Sequence, residues 1–220
     1  GCTGLTGITL PGGITRIGAS AFAGCSGLAG IEIPDNVTYI GQNAFAGTAY
    51  YNNENNWEND ILYLGHYLIA AKTSATGTHD IRQGTTAIAA FAFKDCKDLT
   101  GITIPASMTR IGDSAFAEFT GLLAVTVPAS VTSIGASAFS GCTALADIKL
   151  EEGLTRIEKF AFSYCIGLTD ITVPEGVTEI ECFAFFRCFG MTSVTLPNSI
   201  TKISNSMFMD CKKLTEVTLP

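Results

Sequence analysis

The sequence predicts a solenoid: a stack of short coils, each adding one parallel β-strand to a shared core. Three observations predict it. Phe22, Phe45, Phe93, Phe116, Phe139, Phe162, Phe185 and Phe208 are spaced by 23 residues, with one gap of 48. All seven prolines (Pro11, Pro34, Pro105, Pro128, Pro174, Pro197 and Pro220) keep that period, with Glu151 standing in once. Cysteine keeps it too, three residues after the phenylalanine, at Cys25, Cys96, Cys142, Cys165, Cys188 and Cys211. Cys2 holds the register one coil earlier, and Thr48 and Phe119 interrupt the column. A fixed period of this length marks a repeat architecture, in which one unit cannot bury its apolar face alone and stacked units can.

Each part of the coil has a local reason. In the unit beginning at Cys142, the apolar positions are Leu145, Ile148, Leu150, Leu154, Ile157, Ala161 and Phe162. Val, Ile and Thr at alternating positions suit a pleated, half-buried surface. Strands are therefore expected near 7–10, 30–33, 101–104, 124–127, 147–150, 170–173, 193–196 and 216–219. The proline after each strand removes a ladder donor and ends it. A second extended piece, such as 37–40, returns along the other side. The Ala-Phe segment then makes a tight turn, at most one helical turn. No stretch sustains a 3.6-residue period, so few or very short helices are expected.

The L-x-x-I-x-[IVL] spacing is that of a leucine-rich-repeat strand. Blocks such as CSGLAGIEIPDNVTYIGQNAFAG and FTGLLAVTVPASVTSIGASAFSG resemble the BspA-like leucine-rich repeat over the whole chain apart from one insertion. The resemblance implies a leucine-rich-repeat solenoid, surface exposure, and a part in adhesion or host interaction. It implies no catalytic residue, because the motif residues are structural.

The insertion explains the long gap. The register resumes where Ile81, Ile88 and Phe93 match Ile33, Ile40 and Phe45, so 25 extra residues lie within 46–80. They open with a polar, aromatic loop (48–60), continue as two apolar stretches around Gly65-His66 (61–72), and return through a polar stretch (73–80). The middle part reads as one inserted β-hairpin. It either meets a ligand or only seals the gap in the solenoid. Residues 1–220 form a single domain. The first coil is already under way at Gly1-Cys2 and neither end carries a polar cap, so a fragment of a longer chain is expected, with some end-to-end association through open ends.

Composition narrows the function. Hydrophobic residues are 47% and charged residues 15%, against about 25% charged in ordinary soluble chains. The formal charge of −7 argues against nucleic acid, which calls for a basic stripe. No apolar run reaches the roughly 18 residues of a membrane span, and no charged-then-apolar leader opens the chain. The eight cysteines invite a disulfide or metal reading, but successive coils stack them with parallel Cβ vectors, which suits neither. Buried packing is expected, with Cys182 the off-register thiol. The two histidines, His66 and His79, both fall in the insertion and sit in no nucleophile or metal pattern. No phosphate loop or nucleophile elbow is present, so an enzyme is not expected. No cofactor or metal is expected either.

Candidate ligand residues come from two places. Strand side chains alternate, and in leucine-rich-repeat solenoids the strands line the concave face. One outward column reads Thr9, Glu32, Thr103, Thr126, Lys149, Thr172, Thr195 and Thr218. The other reads Gly7, Gly30, Gly101, Ala124, Asp147, Asp170, Ser193 and Glu216. Asp147 and Asp170 are like charges side by side, with Lys149 placed to offset them. With Thr172 and Glu216 they form an acidic patch fit for a basic protein segment or, less readily, a divalent cation. The second place is the insertion, where Tyr51, Trp57, Tyr63 and Tyr67 suit protein recognition or stacking on sugars. The sequence thus points to a non-enzymatic cell-surface or secreted binding scaffold, an adhesin or host-interaction protein for an extracellular protein or glycan. Alternatives are a spacer without a ligand of its own and a carbohydrate-binding module built on the Tyr/Trp cluster.

Overall fold

A computed structural model describes residues 1–219; Pro220, the last of the proline column, lies outside the described residues. Two sets of strands climb the stack. The longer set is Gly7–Thr9, Gly30–Glu32, Gly77–Asp80, Leu99–Thr103, Ala124–Val127, Asp147–Leu150, Asp170–Thr172, Ser193–Thr195 and Glu216–Thr218. They lie parallel in the one-coil register that the period demands, as in Gly7↔Gly30, Ala124↔Asp147 and Ser193↔Glu216. The second set is shorter, running from Arg16–Ile17 and Tyr39–Ile40 to Glu179–Ile180. After Gly77–Asp80 and Asp147–Leu150 the proline position holds Arg82 and Glu151, and each other long strand ends before its predicted proline. That proline's carbonyl then accepts from the amide three residues on, as in Met108 N–H to Pro105 at 3.0 Å and Val131 N–H to Pro128 at 2.9 Å.

The Ala-Phe segment is a tight turn and contains no helical turn. The residues two before and two after each of its phenylalanines take positive φ, among them Ser114 (51°) and Glu118 (59°) flanking Phe116, and Phe160 (58°) and Tyr164 (59°) flanking Phe162. These kinks aim alternate amides at the next coil: Ser114, Phe116 and Glu118 donate to Ala136, Ala138 and Ser140 at 2.7–2.8 Å. A third ladder of backbone bonds therefore closes the coil without helix or strand. The glycines at 18, 41, 112 and 135 are not among the positive-φ residues. Inside the ladder the rings of Phe93, Phe116, Phe139, Phe162, Phe185 and Phe208 stack at 5.1–5.6 Å between centroids.

The insertion is a wall across the stack. It contains the α-helical turn Ala49–Asn52, capped by Thr48, and a 3-10 turn Glu54–Asn56. Trp57–Glu58, Ile61–Leu64 and Tyr67–Ala71 follow as antiparallel strands. Tyr67–Leu68 then pairs in parallel with Ala87–Ile88, so the hairpin extends the second sheet. Its side chains alternate between two cores. Ile61, Tyr63 and Leu68 pack with the coils that follow. Leu62, Leu64, Tyr67 and Ile69 pack with the coils that precede. Burial on both faces explains the continuous apolar run. The stretch expected to be a polar return is in part a strand: Gly77–Asp80 pairs with Leu99–Thr103 on the long-strand face.

Candidate functional site

The long-strand face carries the outward columns. Asp147, Lys149, Asp170, Thr172 and Glu216 are all exposed on it. Asp147 and Lys149 line a shallow groove of about 280 Å³ with Thr103 and Thr126. Lys149 has its hydrogen-bond partner elsewhere than Asp147. Its ammonium donates to Glu151 at 3.1 Å, and that hydrogen bond, more than the charge itself, holds the Glu151 carboxyl below its usual range. Among the described residues Asp147, Asp170 and Glu216 have no ion pair, and Asp170 accepts only from the Thr169 hydroxyl at 2.9 Å. The second face pairs its carboxylates instead: Arg110 with Glu158 at 3.1 Å, and Arg156 with Glu179 at 2.8 Å and with Glu181. Thr172 faces Thr195, and Thr195 faces Thr218. The threonines bonded coil to coil stand elsewhere, where Thr109, Thr132 and Thr155 each donate to the carbonyl one coil earlier.

The aromatic candidates divide. Tyr51 and Trp57 are half-buried, meet edge to face at 5.2 Å, and line a shallow depression with Glu54 and Lys72. The indole N–H donates to the Tyr51 carbonyl at 2.8 Å, and Lys72 lies over the indole. Tyr63 and Tyr67 are 4% and 1% exposed. The Tyr67 hydroxyl donates to the Pro34 carbonyl at 2.7 Å, and the Tyr63 hydroxyl accepts from the Arg82 amide at 3.1 Å. Burial raises both phenol pKa values above the ordinary one. Tyr63 and Tyr67 are wall residues with their polar ends satisfied, which corrects their reading as a ligand platform. The sequence reading passed over Thr78, His79 and Asp80. Counting 23 back from Gly101, Ile102 and Thr103 reaches them, so the period itself held that signal.

The repeat now has a firm counterpart. The chain matches the BspA type leucine-rich repeat region, in 6 copies, over residues 1–122 and 86–215. It belongs to that family. Among solved structures, this BspA-type chain is similar to a leucine-rich cell surface protein of Faecalibacterium prausnitzii A2-165, at 28% identity and a TM-score of 0.55. The match covers 98% of this chain and 60% of that one, so the chain spans less than two thirds of that relative. It is similar to a leucine-rich-repeat protein of T. pallidum at 25% identity and TM-score 0.55, over 77% of this chain and 71% of that one. A leucine-rich-repeat protein of Eubacterium ventriosum ATCC 27560, at 21% identity and TM-score 0.52 over 95% and 77% of the two chains, shares the fold. A search of curated proteins finds no match. No helix among the described residues is long and apolar enough to cross a membrane.

Proposed function

We propose that this BspA-type solenoid is a non-enzymatic binding scaffold, secreted or held at the cell surface, that engages an extracellular macromolecule across its long-strand face. One observation carries the reading. Among the described residues, Asp147, Asp170 and Glu216 stay exposed and without ion pairs on that face, while the second face pairs its carboxylates with arginines. Asp147 and Asp170 stand one coil apart in that column, and like charges side by side on a sheet cost stability. A basic segment of a protein would neutralise the column. The cell-surface relative supports the location.

The test is a panel of immobilised extracellular-matrix proteins and mucins, run with the wild-type chain and an Asp147→Ser/Asp170→Ser variant. Saturable binding that weakens with salt and falls at least tenfold in the variant is expected. The melting temperature should hold or rise. Binding unchanged in the variant removes the column from the site. Silence across the panel from folded protein favours a spacer that only holds other domains apart.

A further inference from the structure

Where the insertion rejoins the repeat, a cleft of about 560 Å³ opens between the 58–60 turn and the Gly77–Asp80 strand, with Arg82 alongside. Small-ligand sites run from roughly 300 to 1,000 Å³. The strand wall is where this chain breaks its own repeat. His79 pairs with Ile102 in a core column that is otherwise Ile8, Ile31, Ile102, Val125, Ile148, Ile171, Val194 and Val217. An imidazole thus replaces an aliphatic knob in one coil of nine. Asp80 pairs with Thr103 and replaces threonine in the outward column, and Thr78 pairs with Gly101. His79 departs from a column that is otherwise aliphatic and gives up a local fit there, and it lines the cleft beside Asp80, which departs from a mostly threonine column as Glu32 and Lys149 do.

The bonding around the cleft narrows the ligand. The Arg82 guanidinium lies over the Tyr63 ring at 4.3 Å and donates to Glu58 Oε1 at 2.7 Å and to the Gly65 carbonyl at 2.6 Å. Glu58 is thereby matched and held. Asp60 Oδ1 lies 3.8 Å from Lys72 Nζ. Asp80 has no hydrogen-bond or ion-pair partner among the described residues. His79 Nε2 sits 3.2 Å from the Thr76 carbonyl. A carbonyl only accepts, so Nε2 is the donor in this contact. The cleft is therefore lined by one unmatched carboxylate, the His79 imidazole, the Thr78 hydroxyl and the Asn59 amide. Ile61 and Tyr63 also line it, both almost fully buried, with the Tyr63 ring under the Arg82 guanidinium.

A metal ion does not fit, because no three such ligands converge among the described residues. A full cation would find only one unmatched carboxylate, with Arg82 and Lys72 nearby. A neutral ring bearing several hydroxyls uses the whole set: its hydroxyls donate to Asp80 and exchange hydrogen bonds with His79, Thr78 and Asn59. We propose that this cleft is a saccharide subsite, taking one polyhydroxylated ring of a glycan. It stands apart from the acidic column and does not rest on it.

The test is a ¹H–¹⁵N NMR titration of the whole chain with the methyl glycosides of glucose, galactose and N-acetylglucosamine, and with Nα-acetyl-lysine methylamide as the cationic control. Saturable shifts confined to the amides of 58–60 and 77–82, from at least one glycoside and not from the lysine amide, are expected. A His79→Ile/Asp80→Thr variant installs the residues that the next coil carries at Ile102 and Thr103, so it should fold with an unchanged or higher melting temperature. Its glycoside affinity should fall at least tenfold, while the Asp147→Ser/Asp170→Ser variant keeps wild-type shifts. Absence of shifts with all three glycosides overturns the proposal. So do equal affinity in the folded His79→Ile/Asp80→Thr variant and binding of the lysine amide alone.

Discussion

Four thiols of the cysteine column have the same kind of partner. Cys142, Cys165, Cys188 and Cys211 donate through Sγ to the carbonyls of Phe116, Phe139, Phe162 and Phe185, one coil earlier, at 3.0–3.2 Å. Thr48, which interrupts the column, donates its hydroxyl to the Phe45 carbonyl at 2.8 Å, so the column keeps a donor there. Thiols packed this way are small hydrophobes with a weak donor. Burial pushes Cys96 up to about 11 and Cys165 up to about 12. Thiol counting on native protein should therefore find Cys2, Cys182 and Cys211 reacting first. Cys25, Cys96, Cys142, Cys165 and Cys188 should react only after unfolding, since they are buried. Six or more fast thiols would contradict the packing. A raised thiol pKa favours the native state fully below the unfolded value, near 8.5. That advantage is lost as pH rises through the native value. The melting temperature should thus drop between pH 8.5 and 11, and less steeply in a Cys165→Ala variant. The column was legible from spacing alone, but the direction of each Sγ was not, because it depends on where the preceding coil turns its carbonyl.

At the scale of the element, the hairpin shows where reading stopped. The long strands, the prolines and the phenylalanine stack follow from the period, since each residue need only meet its own copy one coil away. The hairpin has no copy. Its run ILYLGHYLIAAK lacks alternation, and a run without alternation reads the same whether it seals a gap or lies between two cores. Two-sided burial erases the period-2 signal that would have oriented Tyr63 and Tyr67. The positive-φ columns were hidden for a related reason: Ser, Asn, Phe, Glu, Tyr and Arg occupy them as well as Gly, so composition did not betray the geometry. The site was legible in the same measure. The acidic column appeared because strand alternation exposes it, and the cleft did not, because the hairpin separates its turn from its strand along the chain. Leu62 and Leu68, both 0% exposed, face opposite cores. Leu62→Ala and Leu68→Ala should each cost about 2–5 kcal/mol, read from denaturant midpoints. A cost below about 0.5 kcal/mol, the usual size for a surface substitution, would mean the hairpin is not a wall.

Across the whole molecule, the wall divides the core unequally. The phenylalanine stack runs unbroken from Phe93 to Phe208, whereas Phe45 stacks only on Phe22 on the other side of the insertion. Solenoid stability is close to a sum of coil terms and nearest-neighbour interface terms. The coils before the wall have fewer neighbours, and most of residues 1–24 are exposed. They hold to the rest through Leu62, Leu64, Tyr67 and Ile69, and through bonds such as Tyr67 to Pro34. Native-state hydrogen exchange should therefore show residues 1–45 opening at lower free energy than 101–196. Leu62→Ala, which thins only the near side of the wall, should widen that difference and leave 101–196 protected. Phe162→Ala acts in the middle of the long stack, with rings on both sides at 5.5 and 5.6 Å. It should lower protection on both sides of its own coil and cost about 3–5 kcal/mol. Equal exchange across the chain in both variants would mean that the wall transmits stability as well as a coil does. The saccharide cleft would then stand on rigid scaffold rather than at a seam.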